Sequence, residues 1–181
     1  MKVIKRNGQS CTMLFDKVSV RISKLTHGLS PDVSGDKVAQ KVFSSMYDNM
    51  HTHEIDTLSS EICIGMITDH PDYEILATRI TASNIQKRTP TTFSKAAKKL
   101  FDGGLLSSHV WLFISKNIAD IDNTINEKLD FSFGFFGLKT LEKSYLQKID
   151  DEIIETPQYM YMRVSCGIHC GNLQNTLDTY E

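Results

Sequence analysis

Val3-Ile4-Lys5-Arg6-Asn7-Gly8 and, shortly after, Cys11-Thr12-Met13-Leu14-Phe15-Asp16-Lys17 are the segments on which the fold turns. Val3 and Ile4 sit between charged neighbours, as on a short strand, and Asn7-Gly8 supplies residues that tolerate positive φ where the chain must reverse. Cys11–Phe15 is then the return strand of a hairpin, and Asp16 opens a helix. Val18, Val20, Ile22 and Leu25 supply its apolar positions and Gly28 its stop.

Period and capping mark further helices. Ser34 caps a helix over Asp36–Tyr47, with Val38, Val42, Phe43 and Met46 on one stripe. Thr52 caps another over Glu54–Thr68, where Ile55, Leu58, Ile62 and Met66 recur at helical spacing. Pro71 fits a first turn, with Asp72 and Glu74 favourable near the positive end of a helix that carries Ile75, Leu76, Ile80 and Ile85. Pro90 bars that helix from continuing, because the residue before proline is biased away from helix. Beyond it, Phe93–Phe101 and Ser108–Asn117 read as helices separated by Gly103-Gly104. Leu138–Lys148 is a further helix and Ile149–Ile154 a short extended piece. Thr156-Pro157 is a cap followed by a first-turn proline, starting a helix through His169.

The chain has 181 residues, 40% hydrophobic and 23% charged, with Lys+Arg 20 against Asp+Glu 22. That balance is ordinary for a globular chain and predicts no strong pull toward nucleic acid or an acidic membrane. No run approaches the length of a membrane helix, and the N-terminus lacks the apolar core of a signal peptide, so a cytoplasmic protein with reduced cysteines is expected. The cations are unevenly placed. Lys2, Lys5, Arg6, Lys17, Arg21 and Lys24 crowd the start, and Lys87, Arg88, Lys95, Lys98 and Lys99 form a second group. Patches of this kind hold a polyphosphate if they converge, and are solvated helix faces if they do not.

Lys5 and Lys17, carried by neighbouring backbone segments, could bind phosphate oxygens through charge-assisted hydrogen bonds worth roughly 1.5–3 kcal/mol each. The backbone N–H groups opening the helix after Phe15 would add donors. There is no Gly-rich phosphate loop. The order of these residues resembles the ATP-cone, a regulatory nucleotide-binding domain. The resemblance continues through Thr52, Asp56-Thr57-Leu58, His70-Pro71-Asp72-Tyr73, Ile75-Leu76-Ala77, Arg79-Ile80 and Ser83-Asn84 to Lys87. It implies Lys5, Arg6 and Lys17 near phosphates, and Cys11, Thr12, Met13, Leu14, Phe15, Asp16 and Lys17 lining the nucleotide. It also implies Thr52 and Asp56 near base and sugar, with Lys87 adding charge. Thr52 as a plain N-cap and Asp56 as a plain helix-start acid remain open alternatives.

The second half resembles the start of the reductase domain in class I ribonucleotide reductase large subunits, of eukaryotic or large-DNA-virus type. The residues that carry this are Asp130-Phe131-Ser132-Phe133, Phe136-Gly137-Leu138-Lys139-Thr140-Leu141-Glu142-Lys143-Ser144-Tyr145-Leu146, Glu155-Thr156-Pro157-Gln158, Met160-Tyr161-Met162-Arg163-Val164-Ser165 and Gly167-Ile168-His169. A bacterial repressor also carries an ATP-cone, but behind a zinc ribbon of paired cysteines, and no Cys-x-x-Cys occurs here. Cys166, His169 and Cys170 lack a fourth ligand for zinc. Phe131, Phe133, Phe135 and Phe136, without interleaved basic residues, read as core and interface rather than a base-stacking platform.

The expectation is a mostly α (α+β) chain: an ATP-cone over residues 1–90, built from a hairpin and a small helical bundle, then the helical start of an incomplete α/β reductase barrel domain over 91–181. The resemblance implies a parent enzyme that reduces ribonucleoside diphosphates, regulated here by ATP and dATP as effectors, with no covalently bound cofactor. Magnesium is compatible with such a site. Partners would be the small subunit and further large subunits, not nucleic acid or membrane. None of the four cysteines inherits a catalytic role, so this stretch alone is expected to be inactive. The alternative is a free-standing ATP-cone regulator without catalysis.

Overall fold

Lys2–Ile4 (β1) pairs antiparallel with Ser10–Thr12 (β2), placing Val3 opposite Cys11, in a computed structural model that describes residues 1–181. The connection is a short loop. Lys5 N–H donates to the Gln9 carbonyl and Gly8 N–H to the Lys5 carbonyl, both at 2.9 Å. Gly8 alone takes positive φ, at +79°, where the Asn-Gly pair suggested two such residues. The longer loop needs a left-handed residue only near its end. The return strand is also shorter than expected, because the helix Phe15–Ser23 (α1) begins at Phe15. α1 ends before Gly28. That glycine has φ +70° in the loop after the helix, which Arg79 holds by donating to the Leu25 and His27 carbonyls at 2.7 Å.

The chain divides into two units, Met1–Asn84 and Ile85–Glu181. In the first, Gly35–Ser45 (α2) is capped by Ser34, whose hydroxyl accepts from Lys37 N–H. Met50–His51 (β3) then adds to β1 in parallel, giving the sheet order β2-β1-β3. That third strand is too short to leave a period in the sequence. Thr52–Gly65 (α3) comes directly after it. Its cap position is held by His51, not Thr52, and the Glu54 carboxylate accepts from His51 N–H at 2.7 Å. Asp72–Arg88 (α4) starts just after Pro71 and ends before Pro90. α1 packs on α2 and α2 on α3. Val18, Ile22, Val38, Val42, Ile55 and Leu76 are buried, each such side chain worth roughly 1.5–3 kcal/mol of transfer free energy. Phe43 is only half-buried and Ile75 is exposed, so these two positions lie at the margins of their stripes.

The second unit is helical: Phe93–Asp102 (α5), Ser108–Lys116 (α6), Ile118–Thr124 (α7), a 3-10 turn at Glu127–Ser132, Phe135–Ser144 (α8), Pro157–Ile168 (α9) and Leu173–Tyr180 (α10). Lys148–Ile149 (β4) and Glu152–Ile153 (β5) form a small hairpin, turned by Asp150 and Asp151 at φ +50° and +63°. α9 is the hub and packs on α5, α6 and α10. Thr156 caps it by accepting from Tyr159 N–H, with Pro157 in its first turn. Phe93, Leu100, Ile114, Ile121, Tyr159 and Met162 form the core. Of the aromatic run, Phe135 is buried, Phe133 stacks on Tyr161 with centroids 6.4 Å apart, and Phe136 is 66% exposed. No helix is long and apolar enough to cross a membrane.

Candidate functional site

A cavity of about 450 Å³ opens in the first unit. Three local periodicities build its wall. On the hairpin, Val3 and Lys5 share one face by strand alternation, as do Cys11 and Met13, and all four line the cavity. On α1, Lys17 and Val18 recur one turn later as Arg21 and Ile22. On α3, Thr52, Ile55, Asp56 and Ser59 fall at i, i+3, i+4 and i+7 of one stripe. Arg6 and Asn7 complete the lining from the hairpin loop.

The same periodicities explain the expected residues that are not in the wall. Thr12 and Leu14 alternate outward and are exposed. Phe15 turns to Phe43 on α2, with centroids 5.8 Å apart and rings edge to face. Asp16 is exposed in the first turn of α1. Lys87 lies in the last turn of α4, within the second unit, and is not among the lining residues. Lys5, Arg6, Cys11, Met13, Lys17, Thr52 and Asp56 line the one cavity together.

The chemistry is polarised. Val3, Met13, Val18, Ile22 and Ile55 offer apolar surface. Four cations, Lys5, Arg6, Lys17 and Arg21, stand against one lining carboxylate, Asp56. Asp56 is almost fully buried, and its oxygens are divided between two guanidiniums: Arg21 Nε lies 2.7 Å from Oδ1, and Arg6 Nη2 lies 2.9 Å from Oδ2. Arg6 Nη2 also donates to Asn84 Oδ1 at 2.7 Å, and Asn84 in turn donates to the His53 carbonyl at 3.3 Å. Burial pushes the Asp56 carboxyl up, against the pull of Arg21 and Arg6, and pushes the Arg21 guanidinium down, against the pull of Asp56. Lys5 and Lys17 make no side-chain hydrogen bond or ion pair within the protein.

Arg21 is the charged residue of the lining that sequence reasoning did not assign to this site, beside Val3, Asn7, Val18, Ile22, Ile55 and Ser59. It was visible as a cation one helical turn beyond Lys17, which puts the two on one face. Its partner Asp56 is remote in sequence, and nothing local announces the pair. Arg21 Nη2 is buried with no hydrogen-bond partner. An unpaired buried donor of this kind costs roughly 1–3 kcal/mol, and more when charged.

A pocket of this size, with an apolar wall, a cationic rim and few placed polar groups, suits a small anionic ligand bearing an aromatic portion. No cluster of His, Cys, Asp or Glu in the chain is arranged to hold a metal ion. Cys63 and Cys166 are buried thiols pushed up by burial to about 12, which makes them poor nucleophiles.

Two stretches of the chain match known families. Residues 1–88 match the ATP cone domain, and residues 131–181 match the ribonucleotide reductase all-alpha domain. The chain is 42% identical over 191 residues to the ribonucleoside-diphosphate reductase large subunit of Variola virus. It is 40% identical over 189 residues to the corresponding large chain of Cryptosporidium parvum, and 41% identical over 189 residues to the large subunit of Caenorhabditis elegans. These matches take in 99–100% of this chain but 24–25% of the relatives, so the chain spans about a quarter of their length. The all-alpha description of the second match agrees with the helices that make up that unit.

Proposed function

We propose that the chain, whose residues 1–88 match the ATP cone domain and whose residues 131–181 match the ribonucleotide reductase all-alpha domain, belongs with the ribonucleotide reductase large subunits, and that its cavity is the ATP/dATP effector site of a ribonucleoside-diphosphate reductase. The parent activity is reduction of ribonucleoside diphosphates to deoxyribonucleotides, carried out with a small subunit in the cytoplasm. The residues of this stretch contribute the effector site. Binding shifts activity only if ATP and dATP favour different states of the enzyme by different amounts.

The observation that carries this reading is the pair of unpaired ammonium groups, Lys5 and Lys17, on the rim of a cavity whose buried acid is Asp56. Polyphosphate lies against the lysines, and the backbone N–H groups at Leu14–Asp16 sit at the favourable end of α1, whose cap residue makes no side-chain bond. The base packs on the apolar wall, and Thr52 and Asp56 face the sugar. The lysines have no acceptors to offer, whereas a carboxylate accepts from hydroxyls.

Calorimetric titration of the full chain tests this. ATP and dATP are expected to saturate one site. Lys5→Ala and Lys17→Ala should weaken both ligands by similar factors, roughly 1–3 kcal/mol each, because both ligands share the phosphates. Asp56→Asn should change the ratio between ATP and dATP, which differ only at the 2′ position. Failure of a folded sample to bind either nucleotide would overturn the reading.

A further inference from the structure

Two arginines hold Asp56, and their situations differ. Arg6 has a second anchor, since the nitrogen that meets Asp56 Oδ2 also donates to Asn84 Oδ1 at 2.7 Å. Arg21 has none. It meets Oδ1 through Nε at 2.7 Å and leaves Nη2 buried and unpaired. Burial also works against the charged form of Arg21. The pairing with Asp56 therefore satisfies Arg6 and leaves Arg21 short of an acceptor. One turn before Arg21 on the same face of α1 stands Lys17, whose ammonium is unpaired and lines the same cavity. Side chains at i and i+4 start only about 5–6 Å apart, so an acceptor bound at Lys17 is within a rotamer change of the Arg21 guanidinium.

We propose that Arg21 couples the phosphates to the sugar in this site: a polyphosphate at Lys17 draws the Arg21 guanidinium from Asp56, and the freed Oδ1 then accepts from the ribose 2′-hydroxyl. This rests on the nucleotide reading given above and adds to it which residue moves and what the movement controls. Arg6, anchored by Asn84, stays on Oδ2 and keeps the carboxylate ionised and oriented. Arg21 gains the acceptor that its Nη2 lacks. With no polyphosphate present, Oδ1 remains occupied and the 2′ position goes unread. Discrimination between ribose and deoxyribose thus depends on the length of the phosphate tail.

The test compares two affinity ratios on the full chain, by displacement of a fluorescent ATP analogue. One is ATP to dATP and the other is AMP to dAMP. In the unmodified protein the first ratio is expected to exceed the second by at least about fivefold, as a charge-assisted contact made in only one member of a pair would give. In Arg21→Gln, which cannot hold Oδ1 by charge, the two ratios should agree within about twofold, and ATP itself should bind roughly tenfold more weakly. Arg21→Lys keeps a charge that can still meet Oδ1 at one point, and should retain part of both the ATP affinity and the difference between the ratios. Equal ratios in the unmodified protein would overturn the proposal without any variant having to fold. A difference that survives unchanged in folded Arg21→Gln would also overturn it. If no adenine nucleotide displaces the analogue, the effector-site reading falls as well, which distinguishes the two failures.

Discussion

Asp130 has no exposed surface, yet it is a carboxylic acid in the core of the second unit. Gln86 donates to its Oδ2 at 2.8 Å, and the Gln158 backbone N–H donates to Oδ1 at 3.2 Å. Burial, reinforced by nearby Glu127, outweighs these bonds and pushes the carboxyl up to about 6. The unfolded chain therefore releases this proton at lower pH than the folded one. The contribution is fully present below the ordinary value of 3.8 and is lost as pH rises through about 6. A rise of this size corresponds to about 3 kcal/mol. Asp130→Asn keeps an acceptor for Gln158 and cannot ionise. Urea denaturation at pH 4.5 and pH 7 should show the variant gaining stability relative to the parent at the higher pH. An equal difference at both values would mean that another group sets the trend. At this scale the sequence was readable where a side chain acts on its own neighbourhood. Ser34 and Thr156 are caps because a short hydroxyl meets an N–H three residues on. Arg21 and Asp130 were not readable, because distant segments determine their partners.

Helices were legible from period and punctuation, since a stripe of buried residues and a terminal proline or cap both lie within the element. Two-residue strands were not. Met50–His51 and Glu152–Ile153 are strands only because another backbone pairs with them. β3 also shifts the start of α3, and with it the role of Thr52. His51 occupies the cap position and Glu54 closes back on its N–H, so the Thr52 side chain is free of that duty. Thr52→Ala should change thermal stability by no more than about 0.5 kcal/mol, the usual range for a side chain with no such role. Glu54→Ala removes the carboxylate that accepts from His51 and should cost about 1 kcal/mol. Thermal melts of both variants decide this, and an equal or larger loss for Thr52→Ala would return it to the cap. A loss of ATP affinity in Thr52→Ala without a loss of stability is the outcome expected if Thr52 faces the ligand.

Taken whole, the chain is two units with separate cores, and the proposed site lies within the first. Ligand binding to the folded form alone stabilises it by mass action, about 2.7 kcal/mol at a hundred times Kd. Hydrogen exchange with saturating ATP should therefore slow at amides of β1, α1 and α3, the elements that meet in the cavity. Unchanged exchange there, with binding still measurable, would place the nucleotide elsewhere. The sheet order β2-β1-β3 has one more consequence. β1 needs an edge partner that the ribosome has not yet made when the hairpin is complete. At roughly 5–20 residues per second, the interval from Ile4 to Met50 lasts on the order of seconds, during which that edge stays open. Lys5 and Arg6 extend from this same strand, and Asp56 is synthesised later still. A nascent chain therefore lacks the cavity proposed as the effector site until α3 has emerged and docked, and any nucleotide bound there acts only on a chain whose first unit is already complete.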